Sequence, residues 1–270
     1  MSCGKITDLM AWQLARLPAK REAIYASSLF PAVSAVVYHF WSGTQLDTQF
    51  PYVESAIFET WRWCGRLKTN LVVNQISPAI EAFAESYSGS VSVHINPKLI
   101  PGNVPSMSLD CNMNLYRYFD TEYVLVIQND GFPLRSGLEE FVGRYDYIGA
   151  PFIRNTRLNR TLGFWPYFAV GNGGFSLRTK HICEMASFYW RKRYHWLPTS
   201  FRLVREDAFY CFVLPFFERS FRTGIRFATI EEARHFSYDN LYGETLEALP
   251  FGFHGAKTFQ ELCEKGLMND

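Results

Sequence analysis

The chain has 270 residues, 48% of them hydrophobic and 20% charged, enough for one large α/β domain or two small ones. That composition excludes a disordered chain, and a formal net charge of +1 gives no electrostatic footprint for nucleic-acid binding. Aromatic residues reach 17%, which suits either a well-filled core or a ligand cleft.

Met10, Leu14 and Leu17 recur at helical spacing, so residues 8–17 are read as an opening helix that Pro18 ends or kinks. The β-branched run PAVSAVVYHF (31–40) reads as a buried strand leading into a polar loop, WSGTQLDTQ. YVESAIFETWRWCG (52–65) reads as a helix stopped at Gly65, and TNLVVNQ (69–75) as a strand. SPAIEAFAESYSG (77–89) is a helix with Ser77 as N-cap and Pro78 at its first position, followed by the strand SVSVHIN (90–96). Strand–helix–strand–helix–strand predicts a parallel sheet with right-handed crossovers.

A looser stretch (97–110) and a helix in CNMNLYRYFD then lead to the strand Tyr123–Ile127, which halts at Gln128-Asn129-Asp130-Gly131. SGLEEFVGRY reads as a short helix and DYIGAP as a short strand. Gly171-Asn172-Gly173-Gly174 forms a glycine run before FSLR and a helix at 179–190. REDAFYCFVLPFFE (205–218) reads as a helix, and the tail as one strand (225–230) with much loop. With no linker in sight, the expected division is a helical segment at 1–29, one domain at 30–260 and a tail at 261–270.

The 6 cysteines are widely and irregularly spaced without a CxxC pair, so a zinc site or disulfide framework is not expected; buried thiols in a reducing compartment fit better. No apolar run of about 18 residues predicts a membrane-crossing helix. The charged N-terminal segment does not read as a signal peptide. The expected setting is the cytoplasm.

Several residues can carry chemistry. Ligands of open parallel sheets bind beyond the carboxyl ends of strands, where Asp130 stands. One carboxylate holds Mg²⁺ or Mn²⁺ when a substrate diphosphate supplies the remaining oxygens; equally, Asp130 can simply form a turn. The glycine run matches neither a Walker loop nor GxGxxG; it offers bare backbone to a substrate, or makes a tight turn. Glu206 and Asp207 open a helix, where the dipole favours acids and where a general base could sit. His254, in PFGFHG, is either a metal ligand or a hydrogen-bonded loop histidine, and His39 at the first strand end is equally ambiguous. The segments 188–205 and RNTRLNR (154–160) mix cations with aromatic or polar residues, fitting a phosphate, a membrane surface or plain solvent.

Taken in order, YVLVIQNDGFPL, YDYIGAPF, VGNGGFSLR, REDAFYCFVLP and FGFHG resemble a bacterial family labelled DUF5672 and read as glycosyltransferases, and beyond it the nucleotide-sugar transferases of GT-A fold. The resemblance runs through roughly residues 30–255. It implies a GT-A-like (Rossmann-like) α/β domain with a mixed, mostly parallel sheet flanked by helices. The nucleotide half would be about 30–130, and the acceptor and catalytic half about 131–260. It implies a nucleotide-sugar donor, UDP-linked by preference, held by His39, Phe40, Gln128, Asn129 and Asp130. Asn172, Gly173 and Gly174 would line the acceptor and sugar site, and Glu206 or Asp207 would be the base of an inverting transfer. Asp130 and His254 would hold Mn²⁺ or Mg²⁺, although Gln128 puts an amide where that fold carries its first acid. The implied acceptor is a saccharide or lipid-linked saccharide in cell-surface polysaccharide or lipopolysaccharide synthesis. Contact with the inner face of the membrane would run through 188–205. Competing expectations are a GT-A-like binding protein without catalysis, which the amides favour, and a nucleotidyltransferase, which the missing glycine-rich loop after the first strand disfavours.

Overall fold

The computed structural model describes residues 8–151, 170–192, 205–214, 224–239 and 248–267. Six strands form one sheet: β1 (Val33–His39), β2 (Lys68–Val73), β3 (Val91–Ile95), β4 (Tyr123–Ile127), β5 (Tyr147–Pro151) and β6 (Val170–Thr179), in the order β3-β2-β1-β4-β6-β5. β1 to β4 run parallel, β6 is antiparallel to β4, and β5 is antiparallel to β6. The expected mixed, mostly parallel sheet is therefore present.

Every residue of β1 is buried, because helices cover both faces of the sheet. Alternation sends Val33, Ala35 and Val37 to one face and Val36 and Tyr38 to the other. The first face packs on α2 (Thr44–Cys64) and α3 (Pro78–Ser86); the second packs on α4 (Val104–Asn114) and α5 (Lys180–Lys192). A two-stranded sheet, β7 (Ser237–Tyr238) with β8 (Gly252–Phe253), sits beyond.

Local structure departs from the sequence reading at several points. α1 spans Leu9–Glu22 and continues through Pro18, with Asp8 Oδ1 accepting from Ala11 N at 2.8 Å as its cap. It is fastened to α2 by Arg21, which donates twice to Glu54 at 2.6 Å, and by the buried Lys20, which donates to Ser55 Oγ at 2.8 Å and pairs with Glu59 at 2.9 Å. Tertiary anchoring at both ends tolerates the one lost backbone bond. α2 starts at Thr44, inside the expected loop, and contains Pro51. α4 starts in the stretch read as irregular, where Asn103 Oδ1 accepts from Ser106 N at 2.9 Å with Pro105 just inside. SGLEEFVGRY forms only a 3₁₀ turn at Leu138–Glu140. The glycine run is not a turn: it lies inside β6. α6 is a single α-turn at Glu206–Ala208 that passes into a π-turn at Phe209–Val213. In place of a strand at 225–230 there is one bridge, Phe227 to Tyr147, followed by α7 (Ile230–Phe236) with a Thr229–Glu232 capping box.

The last helix, α8 (Ala256–Glu264), returns to α1. Trp12 packs between Phe132, at 6.2 Å between ring centroids, and Phe259, at 5.3 Å, closing a third apolar cluster. Among the described residues no helix is long and apolar enough to cross a membrane. Cys64, Cys111, Cys183, Cys211 and Cys263 are all free and buried.

Candidate active site

The site is built at the carboxyl end of β4. Antiparallel pairing of β6, with Ser176 opposite Val126, brings the amino-terminal part of β6 beside Gln128-Asn129-Asp130-Gly131. Gln128 and Gly131 exchange backbone hydrogen bonds at 2.9 and 3.1 Å, closing a tight turn that presents Asp130. The Asp130 carbonyl accepts from Gly255 N at 2.7 Å, which ties the turn to the segment carrying His254.

His254 is the centre of the arrangement. Its backbone N donates to Tyr238 O at 3.0 Å, and its Nδ1 lies 3.3 Å from Asp239 Oδ2. Its Nε2 faces Gln128 Oε1 at 3.2 Å and Asp130 Oδ1 at 3.7 Å. With Nδ1–H donated to Asp239, a neutral ring would turn the Nε2 lone pair onto two oxygens. A proton or a cation at that point relieves the conflict, as does a Gln128 amide turned to donate its N–H to Nε2. Burial alone would lower the imidazole pKa. The hydrogen bond to Asp239 and the charges of Asp130, Asp239 and Glu206 overcome it and raise the pKa above 6.5.

Asn172 and the two glycines after it connect this cluster to the acid pair. Asn172 Nδ2 donates to Asp239 Oδ2, and Asn172 Oδ1 accepts from Gly174 N at 3.0 Å. A Cβ at Gly174 would overlap the His254 ring, and one at Gly173 would overlap the Glu206 carboxylate. Successive strand residues face opposite ways, so two bare positions let β6 lie close to both groups.

Glu206 is buried, and its Oε2 accepts from Ser108 Oγ at 2.7 Å. Asp207 accepts from Ala208 N at 2.7 Å; burial, then the neighbouring Glu206 charge, push its carboxyl up to about 6. Beneath the pair lies Arg178, fully buried, donating to Gly173 O at 3.3 Å, Ser176 Oγ at 3.0 Å and Cys111 Sγ at 3.2 Å. Its guanidinium stands 4.5 Å from the Tyr210 ring centroid and 5.2 Å from that of Tyr147.

The structure thus brings Asp130, Gln128, Asn172, Gly173, Gly174, Glu206, Asp207 and His254 into one region. His39 is placed differently: it is 1% exposed, bonds Leu46 O at 2.7 Å through Nε2 and packs edge-on against Phe50. Burial lowers its pKa, and its side chain holds the first turn of α2. Phe40 is half-buried against the second face of the core, its carbonyl accepting from Gly102 N at 2.8 Å. The Asn129 carbonyl accepts from Gln13 of α1. RNTRLNR and residues 193–204 of the basic-aromatic segment lie outside the described residues.

Sequence reasoning missed Asp239, Arg178, Ser108 and Gln13. None sits in a recognisable spacing; Asp239 follows a two-residue strand, and Arg178 was visible only as part of FSLR.

As a metal centre the site supplies one carboxylate, one imidazole and one amide oxygen. Among the described residues no group of three or more His, Cys, Asp or Glu is placed to hold an ion. The convergence of two oxygens on Nε2, beside a glycine that leaves room for the ring, fits Mn²⁺ or Mg²⁺ only as a partial ligand set that substrate oxygens complete.

No curated protein matches the chain. Among solved structures, an active-site mutant of LgtC is 15% identical with a TM-score of 0.48, over 86% of this chain and 95% of that one. The mannosyltransferase Ktr4p from S. cerevisiae is 7% identical with a TM-score of 0.43, over 76% and 72%. A glycosyltransferase involved in glycosylation of the major capsid of PBCV-1 is 10% identical with a TM-score of 0.43, over 87% and 100%. At such TM-scores these likenesses carry no functional weight. The model described as "Protein of unknown function (DUF5672)" matches residues 93–254, which span β4, the glycine-bearing part of β6, the acid pair and His254. The chain belongs to the DUF5672 family.

Proposed function

We propose that this protein is a glycosyltransferase of GT-A-like organisation that moves a sugar from a nucleotide-sugar donor to a hydroxyl acceptor. The observation that carries the reading is His254 Nε2 turned toward Gln128 Oε1 and Asp130 Oδ1 at a strand end, with an acid pair across two bare glycines. A cation bound there would neutralise the leaving diphosphate. Asp130, Gln128 and His254 would hold it, with Asp239 orienting the imidazole. The acceptor oxygen attacks the anomeric carbon, the bond from that carbon to the phosphate oxygen breaks, and the nucleoside diphosphate leaves with the electron pair. Asp207, or Glu206 beside it, takes the hydroxyl proton as the acceptor attacks from the face opposite the leaving diphosphate, a single displacement that inverts the anomeric carbon. Gly173 and Gly174 let the Glu206 carboxylate and the His254 ring lie against the backbone of β6.

The donor half would be about residues 30–130 and the acceptor half about 131–260. A UDP-linked donor and a saccharide or lipid-linked saccharide acceptor, in surface polysaccharide synthesis at the inner face of the membrane, complete the reading. Its test is a thermal-shift panel of UDP-, GDP- and CMP-sugars with and without Mn²⁺, followed by chromatography for released nucleotide. Binding and release of one nucleotide class support it; no shift with any donor overturns it. The amide of Gln128 favours one other reading, a sugar-nucleotide binding protein without turnover, which binding without release would support.

A further inference from the structure

The turn that presents Asp130 has a complete account of its carbonyls, and one partner comes from far away. Gln128 O and Gly131 O are satisfied within the turn, and Asp130 O by Gly255 N. Asn129 O, in the middle, accepts at 2.7 Å from Nε2 of Gln13, across 116 residues of chain. Gln13 is 1% exposed, and the same Nε2 reaches Tyr52 O on α2 at 3.3 Å. One buried amide thus bridges α1, α2 and the turn. Next to it Trp12 packs on Phe132, directly after the turn, and on Phe259 of α8, directly after His254 and Gly255. α1 lies outside the stretch matched by the family model, yet it contacts both chain segments that bring Asp130 and His254 together.

We infer that Gln13 is a positioning residue for the active site: its amide holds the Asn129 carbonyl and so fixes the turn in which Asp130 faces His254. An amide has the right chemistry, because it donates two N–H groups to two carbonyls without burying a charge. Without Gln13 the Asn129 carbonyl loses its partner, and the turn is held only by the Gln128–Gly131 pair and the Gly255 N bond to Asp130 O, which leaves the Asn129–Asp130 peptide freer to rotate. The inference rests on the proposed donor site for its catalytic consequence, while the positioning itself is independent of any ligand.

The test compares Gln13→Met, which keeps volume and loses both donors, with Leu17→Ala, which loosens the buried face of α1 without touching the turn. Amide exchange followed by NMR reads the positioning directly. In Gln13→Met, exchange at Gly131 and Gly255 accelerates about tenfold relative to Leu17→Ala, consistent with one lost buried hydrogen bond. Donor KM rises about tenfold with kcat within about threefold, and binding of Mn²⁺, read by its electron spin resonance, weakens in parallel. Leu17→Ala lowers Tm and leaves KM unchanged. Equal exchange at Gly131 and Gly255 in the two variants overturns the inference. A wild-type protein that turns over no nucleotide sugar would sink the proposed function instead, and the exchange comparison would still decide the role of Gln13.

Discussion

Asp239 Oδ2 stands 3.3 Å from His254 Nδ1, and this contact decides which nitrogen of the imidazole faces Asp130. Asn172 donates to the same Asp239 oxygen, so β6, the short β7 strand and the chain after β8 meet at one carboxylate. A ligating histidine needs such an outer partner to hold its tautomer and its plane.

Asp239→Asn should therefore weaken Mn²⁺ binding about 10- to 100-fold while the fold persists. His254→Ala should abolish binding at that point altogether. Titration calorimetry with Mn²⁺, alone and with a donor nucleotide, gives the order wild type, then Asp239→Asn, then His254→Ala. Equal affinity in wild type and Asp239→Asn would remove Asp239 from the site.

The raised pKa of His254 gives two opposite pH trends. The folded state binds this proton more tightly than the unfolded chain, whose imidazole titrates near 6.5. The resulting stability is fully present below about pH 6.5 and is lost as pH rises through the higher folded pKa. A cation competes with the same proton, so Mn²⁺ affinity should climb with pH over that window, by up to about tenfold per pH unit. Urea melts without metal and Mn²⁺ titrations, run from pH 5.5 to 8.5, check both signs; His254→Gln should flatten both.

Gly174→Ala places a methyl group against the His254 ring, with backbone and Asp239 contacts leaving the ring little room. We expect at least a tenfold loss of Mn²⁺ affinity and of donor turnover, with far-UV circular dichroism unchanged. Retained affinity would show that the ring can swing aside.

Asp207→Asn should stabilise the protein while stopping the reaction. The folded carboxyl titrates near 6, above its ordinary 3.8, so the folded state holds the proton longer than the unfolded chain. Stability from this group therefore falls as pH rises between about 4 and 6 and stays low above. At pH 7 an uncharged amide recovers up to about 3 kcal/mol, seen as a higher Tm. Turnover should drop at least about 100-fold if Asp207 is the base. A wild-type rate that rises with pH around 6, and a Glu206→Gln variant that retains more activity than Asp207→Asn, would separate the two acids.

Much of this architecture was legible along the chain. β1 to β4 follow from short β-branched runs, and Ser77-Pro78 marks the start of α3 because capping is a local event. Asp130, His254 and the acid pair could be named because each sits at the end or beginning of an element, where polar side chains have no packing duty. What only the tertiary structure decided was the partnership. His39 shares the strand-end position of Asp130, yet α2 starts early enough to cover it and take its Nε2 on Leu46 O. The glycine run reads locally as a turn, and becomes strand because it continues the β6 segment that β4 holds at Ser176–Thr179 and pairs with β5 through Asn172 opposite Ala150. Asp239, Arg178 and Gln13 have no periodic or spacing signal, since their roles exist only where a distant carbonyl, imidazole or carboxylate arrives by folding. Local sequence determines element and exposure through backbone preference and burial. Which titratable groups face one another depends on crossovers and sheet order, and those are set by how whole faces of apolar side chains pack.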